Sequence, residues 1–298
     1  MKKSSVSWRS LLWPWQFAIH DEAVRQALAD VAGLEPAVVI VGGSRGIGLA
    51  LAERFLEAGH RTVIVARNAM RLDAAAAELK ATTGHEVVTI LCDVCEDNAY
   101  DVIAAGVARG GLFIDVLVNS AGIGLAGSFL DQSQGDLCRL LALNVEALTR
   151  LIRAALPQMV GRRRGGILNV ASLGAAIPGP NQAAYYASKA YVVSLTEAVA
   201  SEVSGQGVRV SALLPGPVDT HFHEEMGAER SLYRLALPSM SAKRVARSAY
   251  RGFLFGNRVI IPGISNLFFF IALRVLPHTL TVPLIYWLLR RPENLSDN

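Results

Sequence analysis

Short apolar runs alternate with amphipathic stretches along most of the chain. Seven runs rich in valine, isoleucine and leucine have the length and composition of strands that are buried on both faces, as in a parallel sheet. They lie at residues 37–41, 62–66, 86–91, 114–118, 166–170, 208–214 and 258–261. Helical periodicity fills the intervals, at residues 49–58, 70–82, 97–109, 134–160, about 185–203 and 241–255. This alternation predicts an α/β protein with a doubly wound parallel sheet and helices on both faces.

The hydrophobic pattern also divides the chain into three parts. A single α/β domain is predicted at residues 36–263, with apolar extensions at 1–35 and 264–298. The first extension has basic residues beside Trp8, Trp13 and Trp15, and then a short amphipathic helix at 20–32. This composition suits a membrane interface, and it equally suits an arm packed on its own domain or on a partner subunit.

The second extension is almost entirely apolar between residues 267 and 289. That length is enough for a membrane span, which needs about 20 apolar residues. However, Arg274 lies inside it, and Pro277 and Pro283 interrupt it. These features favour two short helices that lie in a membrane surface. A spanning helix, a flap buried over the active site and a subunit contact remain as alternatives.

Composition narrows the classes of function. The chain of 298 residues carries a net charge of +4, and its charged fraction is only 18%, below the usual quarter. The basic run Arg162-Arg163-Arg164 has no interleaved aromatics, which argues against a nucleic-acid partner. Cys92, Cys95 and Cys138 form no disulfide framework, and the histidines form no ligand cluster, so no metal is expected. Reduced thiols indicate a cytoplasmic protein, and the apolar tail would allow peripheral contact with the cytoplasmic face of a membrane.

A glycine-rich turn joins the first strand to the first helix of the domain. Gly42, Gly46 and Gly48 would let the backbone approach a pyrophosphate, and the helix N-terminus would offer free N–H groups to it. An NAD site usually has an acidic residue after the second strand, but here that strand ends on Arg67, and Arg45 lies in the turn. Two cations suit a 2′-phosphate, so the pattern favours NADP over NAD.

Tyr185 and Lys189 are four residues apart on a predicted helix and therefore share one face. A phenol has a pKa of about 10, and a neighbouring cation favours the phenolate and lowers that value. The pair is therefore a candidate general acid and base. Tyr186 also lies within reach of Lys189.

Together these residues resemble the short-chain dehydrogenase/reductase family over residues 37–263. The resemblance is carried by the glycine turn, Asp93-Val94, Asn119-Ser120-Ala121-Gly122, and Pro215-Gly216 with Thr220. It is also carried by Ser172, which precedes Tyr185 by thirteen residues and thereby selects Tyr185 over Tyr186. The resemblance implies a Rossmann fold and a dimer or tetramer formed through residues 191–203.

The resemblance implies four catalytic residues. Tyr185 would exchange the proton with the substrate oxygen, Ser172 would hydrogen-bond the carbonyl, Lys189 would lower the tyrosine pKa and hold the nicotinamide ribose, and Asn144 would hold a water on the proton path. The residues implied to contact NADP are Gly42, Ser44, Arg45, Gly46, Ile47, Gly48, Arg67, Asp93, Val94, Asn119, Ala121, Gly122, Tyr185, Lys189, Pro215, Gly216, Val218 and Thr220.

The sequence therefore predicts an NADP(H)-dependent oxidoreductase that interconverts a carbonyl and a secondary alcohol. The apolar tail, and a predicted substrate-covering segment at 221–238, favour a lipid-like or steroid-like substrate. Two alternatives remain. One is a soluble ketoreductase for small or acyl-carrier-linked carbonyls. The other is an NADP-binding sensor or scaffold, which is disfavoured because Asn144, Ser172, Tyr185 and Lys189 are all present.

Overall fold

The structure, a computed structural model, describes residues 22–228 and 239–290. Seven of its strands form one sheet in the order β3-β2-β1-β4-β5-β6-β9, and every neighbouring pair in that sheet is parallel. Strands β7 and β8 form a separate two-stranded sheet. In chain order the strands are β1 Glu35–Val41, β2 Arg61–Ala66, β3 Val88–Leu91, β4 Leu112–Asn119, β5 Gly165–Val170, β6 Val208–Leu213, β7 Val218–Asp219, β8 Met240–Ser241 and β9 Val259–Ile260. The doubly wound parallel sheet predicted from the sequence is confirmed.

Helices follow most strands of the large sheet. The α-helices are α1 Glu22–Ala29, α2 Gly46–Glu57, α3 Ala69–Thr83, α4 Ala99–Arg109, α5 Gln134–Leu141, α6 Leu148–Gly161, α7 Ala183–Glu202, α8 Phe222–Glu225, α9 Ala242–Leu254, α10 Ile264–Val275 and α11 His278–Leu289. Local chemistry fixes several ends. Helix α3 begins where the Asn68 side chain accepts a hydrogen bond from the Arg71 amide, and it ends at Gly84, whose φ of 73° is left-handed.

The core has two layers, one on each face of the sheet. Helices α4, α6 and α7 cover one face and bury Ile103, Leu151 and Val192. Helices α2, α3 and α9 cover the other. Each fully buried large side chain stabilises the fold by roughly 1.5–3 kcal/mol relative to an exposed one. The two layers therefore hold the sheet in place, and with it the carboxyl edge of the sheet.

The stretch predicted as one helix at 134–160 contains a turn of a different helix type. Residues Ala142–Ala147 form a π-helical turn between α5 and α6, and Asn144 lies within it. A π turn places one extra residue in the helix, which re-aims the side chains around it, and such turns are frequent at functional sites. The predicted helical stretch is therefore present without a break, but the sequence did not indicate the π turn inside it.

The tail forms two helices, as predicted, but only one proline separates them. Pro277 precedes the first turn of α11, whereas Pro283 lies inside that helix and does not end it. Thr281, Ile285 and Leu288 are buried on either side of Pro283, and this packing holds the helix together despite the missing N–H donor. No helix among the described residues is long and apolar enough to cross a membrane.

The N-terminal extension is described only from residue 22. Helix α1 packs against α6, and Val24 is buried there. This part of the arm therefore contacts its own domain. Trp8, Trp13 and Trp15 lie outside the described residues.

Candidate active site

A cavity of about 570 Å³ opens at the carboxyl edge of the sheet, which is where ligands bind in doubly wound folds. Its walls come from the segments that follow β1 to β6 and from the tail helices. The predicted site residues that line it are Gly42, Ser44, Arg45, Gly46, Ile47, Arg67, Asp93, Val94, Ala121, Gly122, Ser172, Tyr185, Lys189, Pro215, Gly216, Val218 and Thr220.

Three predicted residues do not line the cavity. Gly48 lies against the turn, where an added Cβ would be 2.2 Å from the Gly42 carbonyl oxygen, so its lack of a side chain permits α2 to pack closely on the turn. Asn119 is buried, and its amide donates to the Asn169 side chain at 2.8 Å. That bond ties β4 to β5 inside the sheet, so the Asn119 side chain points away from the cavity lining. Asn144 lies behind Gly122, as described below.

The glycine turn brings two backbone segments into contact. Gly42 and Gly46 have φ values of 78° and 56°, which non-glycine residues rarely adopt. A Cβ on Gly42 would be 2.6 Å from the Ala121 amide nitrogen, so the loops after β1 and β4 can meet only because this residue is glycine. Arg45 makes no capping bond at the start of α2. The turn therefore presents the helix N-terminus to the cavity, an arrangement suited to a pyrophosphate.

Tyr185 is buried near the start of α7, with 8% of its surface exposed. Burial raises the pKa of its phenol to about 12, and a hydrogen bond with Ser172 acts in the opposite direction. Ser172 in turn accepts a hydrogen bond from the Gly174 amide at 3.1 Å, which fixes its side chain. The expected lowering of the Tyr185 pKa was wrong, because burial outweighs the hydrogen bond. The phenol is thus protonated at neutral pH and is ready to donate.

Lys189 lies one turn further along α7 and is also buried, with 5% of its surface exposed. Its Nζ donates to the Val170 carbonyl oxygen at 2.9 Å and lies 5.9 Å from the centroid of the Tyr185 ring. Burial lowers the pKa of this ammonium to about 8. Since one of its three N–H donors is used by Val170, the others are available to a ligand in the cavity.

Asn144 is held by three hydrogen bonds within the protein. Its Oδ1 accepts from the Ile123 amide at 3.0 Å, and its Nδ2 donates to the Ile123 carbonyl at 2.8 Å and to Ser188 Oγ at 3.1 Å. A Cβ on Gly122 would lie 3.2 Å from Asn144 Oδ1 and 3.4 Å from Lys189 Nζ. Asn144 and Lys189 therefore both approach Gly122, and Oδ1 retains one lone pair for a water.

Three arginines surround the end of the cavity near the glycine turn. Arg67 Nη1 lies 3.9 Å from an Asp93 carboxylate oxygen. Arg45 forms an ion pair with Glu225, and Arg71 Nη1 lies 4.0 Å from the same carboxylate oxygen of Glu225. The hydrogen bond from Arg45 holds the pKa of Glu225 below its usual value. Sequence analysis missed Arg71 and Glu225. Arg71 follows Arg67 by four residues and could have been found, but Glu225 is distant in sequence.

Helices α10 and α11 form an apolar part of the cavity wall. Five of their side chains line the cavity: Phe269, Leu273, Ile285, Leu288 and Leu289. Leu273, Ile285, Leu288 and Leu289 form one buried cluster with Ile177, which follows the Ser172 turn. One face of the tail therefore lines the cavity, which is the position of the flap considered in the sequence analysis.

The opposite face of the same two helices is exposed and apolar. Its side chains are Ile264, Leu267, Phe268, Ile271, Val275, Leu276, Leu280, Leu284, Tyr286 and Trp287. Hereafter this set is called the outer tail face. Arg274 lies over the Phe270 ring and Arg290 over the Tyr286 ring, at 5.5 and 5.6 Å from the ring centroids.

The segment after β7 also contributes to the cavity. His221, Phe222, His223 and Met226 line it, and the Phe222 ring lies 5.7 Å from that of Tyr185. The remainder of the predicted covering segment, residues 229–238, lies outside the described residues. Within residues 22–228 and 239–290, no group of three or more His, Cys, Asp or Glu side chains could hold a metal ion.

Comparisons with known proteins agree with this geometry. A family model for short chain dehydrogenase matches residues 36–231. The chain is 36% identical over 187 residues to the 17-beta-hydroxysteroid dehydrogenase type 3 of Danio rerio, covering 61% of this chain and 60% of that protein. It is 36% identical over 196 residues to the L-tagatose-forming galactitol 2-dehydrogenase of Cereibacter sphaeroides, covering 65% of this chain and 76% of that protein.

A solved structure is similar over most of the chain. It is the short-chain dehydrogenase from Sphingobium yanoikuyae in complex with NADPH, with 34% sequence identity and a TM-score of 0.69. The similarity covers 77% of this chain and 88% of that one.

Proposed function

The chain belongs to the short-chain dehydrogenase family, and on this premise we propose that it is an NADP(H)-dependent oxidoreductase that interconverts hydrophobic ketones and secondary alcohols. The observation that carries the proposal is the group of three side chains that line the cavity together, the half-buried Ser172 and the buried Tyr185 and Lys189. A protonated phenol, a hydroxyl and an ammonium lie together next to an apolar wall. The glycine turn provides a cradle for a dinucleotide beside them.

In the reduction direction, the carbonyl oxygen develops negative charge. Ser172 and Tyr185 have the hydroxyl donors that would stabilise this charge, and a preorganised donor in a site that excludes water contributes several kcal/mol. Tyr185 then transfers its proton to the oxygen and becomes a phenolate. The Lys189 ammonium stabilises that phenolate, and a water held by Asn144 would return the proton from solvent. A nicotinamide bound beside these residues would supply the hydride.

Three features would hold the cofactor. The turn at Gly42 and Gly46 would take the pyrophosphate, the spare N–H donors of Lys189 would hold the nicotinamide ribose, and Arg45 and Arg67 would take the 2′-phosphate. Arginine binds phosphate oxygens through two parallel N–H donors, whereas an NAD site would place a carboxylate after β2. These contacts support NADP over NAD.

The tail supports a hydrophobic substrate. Phe269, Leu273 and Leu288 line the cavity, and burying an apolar ligand against them is favoured at about 25 cal/mol per Å². Related proteins differ in substrate, since one is named as a steroid dehydrogenase and another as a polyol dehydrogenase. The side chains that the tail contributes to the cavity offer a polyol no hydrogen-bond partners, so this side of the cavity favours lipid-like or steroid-like ketones.

The outer tail face supports contact with a membrane surface. Residues 264–290 include Arg274, His278 and Arg290 but no aspartate or glutamate. Exposed apolar side chains with flanking cations suit an anionic lipid surface, where the rings enter the interface and the arginines meet headgroups. We place the protein in the cytoplasm, peripherally bound to a membrane, as a dimer or tetramer paired through α7.

The proposal is tested by NADPH oxidation with a series of methyl ketones of rising chain length, with and without anionic liposomes. Catalytic efficiency is expected to rise with chain length and to increase further with liposomes. Activity confined to small ketones would contradict the lipid-like substrate, while consumption of NADH in preference to NADPH would contradict the cofactor.

A further inference from the structure

Glu225 lies beside two arginines at the end of the cavity near the glycine turn. It ends α8, the short helix after β7, and its carboxylate pairs with Arg45 of the glycine turn. Arg71, in the first turn of α3, lies 4.0 Å from the same carboxylate oxygen. The three residues come from distant parts of the chain, and all but Glu225 line the cavity. The structure thus places one acid between two arginines.

An oxyanion between two guanidinium groups is the arrangement by which proteins bind phosphate. We infer that Arg45, Arg71 and Glu225 form a cofactor-selectivity site, in which Arg71 is a further cation for the 2′-phosphate and Glu225 competes with that phosphate for both arginines. This inference rests on the proposed use of NADP(H). Glu225 is thereby a specificity-determining residue that limits the preference for NADP(H) over NAD(H).

Charge decides the competition. A phosphate monoester carries nearly two negative charges at neutral pH and three acceptor oxygens, whereas Glu225 carries one charge and two oxygens. The 2′-phosphate therefore displaces Glu225, but the ion pairs that Glu225 made must first be broken. NAD(H) has a neutral hydroxyl at this position, so its binding leaves the ion pairs in place. Removing the Glu225 charge should therefore favour NADP(H) alone.

The expected size of the effect follows from exposure. The side chains of Arg45 and Glu225 are each 41% exposed, and exposed ion pairs contribute little because water screens them. Two such pairs correspond to a change in dissociation constant of about three- to tenfold. A larger change in the dissociation constant would require these ion pairs to be buried, and at this site they are partly exposed.

Glu224 provides a matched control. It precedes Glu225 on the same helix, but its carboxylate pairs with His221 at 3.0 Å and with neither arginine. A Glu224→Gln variant removes the same charge from the same helix without changing the arginine contacts. Long-range electrostatic effects would therefore appear in both variants, whereas competition at the site would appear only in Glu225→Gln.

The test is calorimetric titration at pH 7 of the full chain and its variants with NADPH, NADH, adenosine 2′,5′-bisphosphate and 5′-AMP. Glu225→Gln should bind NADPH and the bisphosphate about three- to tenfold more tightly, with NADH and 5′-AMP changed less than twofold. Arg71→Gln should weaken the binding of the two ligands that carry a 2′-phosphate, NADPH and the bisphosphate, and Glu224→Gln should match the wild type.

The outcomes separate this inference from the proposed function. Wild-type protein that binds NADPH tightly, with a Glu225→Gln variant that has the same dissociation constants, contradicts only the role of Glu225. Equal changes for NADPH and NADH also contradict it, because they indicate a general effect on the cavity. Wild-type protein that binds NADH but neither NADPH nor the bisphosphate contradicts both the inference and the proposed cofactor. Unfolding midpoints of the free variants within a few degrees of the wild type would show that the fold is retained.

Discussion

Lys189 donates a hydrogen bond from Nζ to the carbonyl oxygen of Val170 at 2.9 Å. Val170 is the last residue of β5, so the main chain of the central sheet itself positions the ammonium beside Tyr185. The contact is buried, and burial disfavours the charge: the pKa of Lys189 falls to about 8, while that of Tyr185 rises to about 12. The free protein therefore carries a buried cation that costs stability and a phenol that keeps its proton.

The first prediction concerns this cost. Lys189→Met removes the cost of burying the charge, which is on the order of 3 kcal/mol at most at pH 7. It also removes the hydrogen bond to Val170, which contributes about 1 kcal/mol. The variant should therefore be more stable than the wild type by the difference between the two. Because the folded-state pKa, about 8, is below the usual 10.5, the unfolded chain binds more protons between those values. The free energy of unfolding of the wild type therefore increases as the pH rises from about 8 to 10.5, and the extra stability of Lys189→Met should become smaller.

Urea unfolding at pH 7 and pH 9.5 measures this difference. Lys243→Met is the control, because that lysine is exposed and pairs with Glu53 at 2.6 Å, which raises its pKa instead. It should not stabilise the protein at pH 7. A Lys189→Met variant that is less stable than the wild type at both pH values by the same amount would show that the ammonium is not destabilising.

The second prediction separates the two adjacent tyrosines. Tyr185→Phe removes the proposed acid and should lower the turnover number by about 10²–10⁴-fold, the usual contribution of general acid catalysis. Tyr186→Phe removes the hydroxyl group of the next residue, which also lines the cavity. This variant should keep activity within a few fold of the wild type. Steady-state NADPH oxidation measures both. Equal losses in the two variants would contradict the assignment of the acid.

The third prediction concerns the apolar wall. Leu288 lines the cavity, whereas Leu284, one turn earlier on α11, is 50% exposed. Leu288→Trp should fill part of the cavity and lower the catalytic efficiency for long or bulky ketones by about tenfold or more, with small ketones affected by less than threefold. Leu284→Trp should leave both classes unchanged. If Leu288→Trp lowers activity equally for all ketones, the wall does not select by size.

The fourth prediction concerns the outer tail face. Phe268 and Leu280 are 70% and 64% exposed, and replacing both by glutamate should abolish sedimentation with anionic liposomes while retaining the reduction of small ketones. Leu130→Glu is the control, since Leu130 is 93% exposed but lies outside the tail. Wild-type protein that ignores liposomes, with a double variant that dissociates into monomers, would instead show that a second copy covers this face.

Much of the fold could be predicted because parallel strands have a strong local signature. The run Ala37–Val41 has the composition of a strand buried on both faces, and the structure shows it inside the sheet, between β2 and β4. The predicted ends of the strands were less accurate. The third strand begins at Val88 rather than at residue 86, and the fourth extends to Asn119 rather than to residue 118. The small pair β7 and β8 was missed, because two-residue strands carry no periodic pattern.

The site was predicted where one stretch of chain contains the chemistry, and missed where distant segments meet. Tyr185 and Lys189 share a helix, so their spacing alone indicates a shared face. Nothing local indicates that Asn119 bonds to Asn169, that a π turn carries Asn144, or that Glu225 reaches Arg45. Likewise, the apolar composition of the tail was evident, but its contact with the cavity depends on the packing of Leu273 and Ile285 against Ile177.

The most direct test of the proposed activity is transfer of deuterium from NADPH labelled at the reacting nicotinamide carbon to a long-chain ketone, read by mass spectrometry of the product. We predict an alcohol that carries one deuterium on the carbinol carbon with the wild type, and at most trace product with Tyr185→Phe. Wild-type protein that binds NADPH but forms no labelled alcohol from any ketone in the series, long or short, would contradict the proposed function.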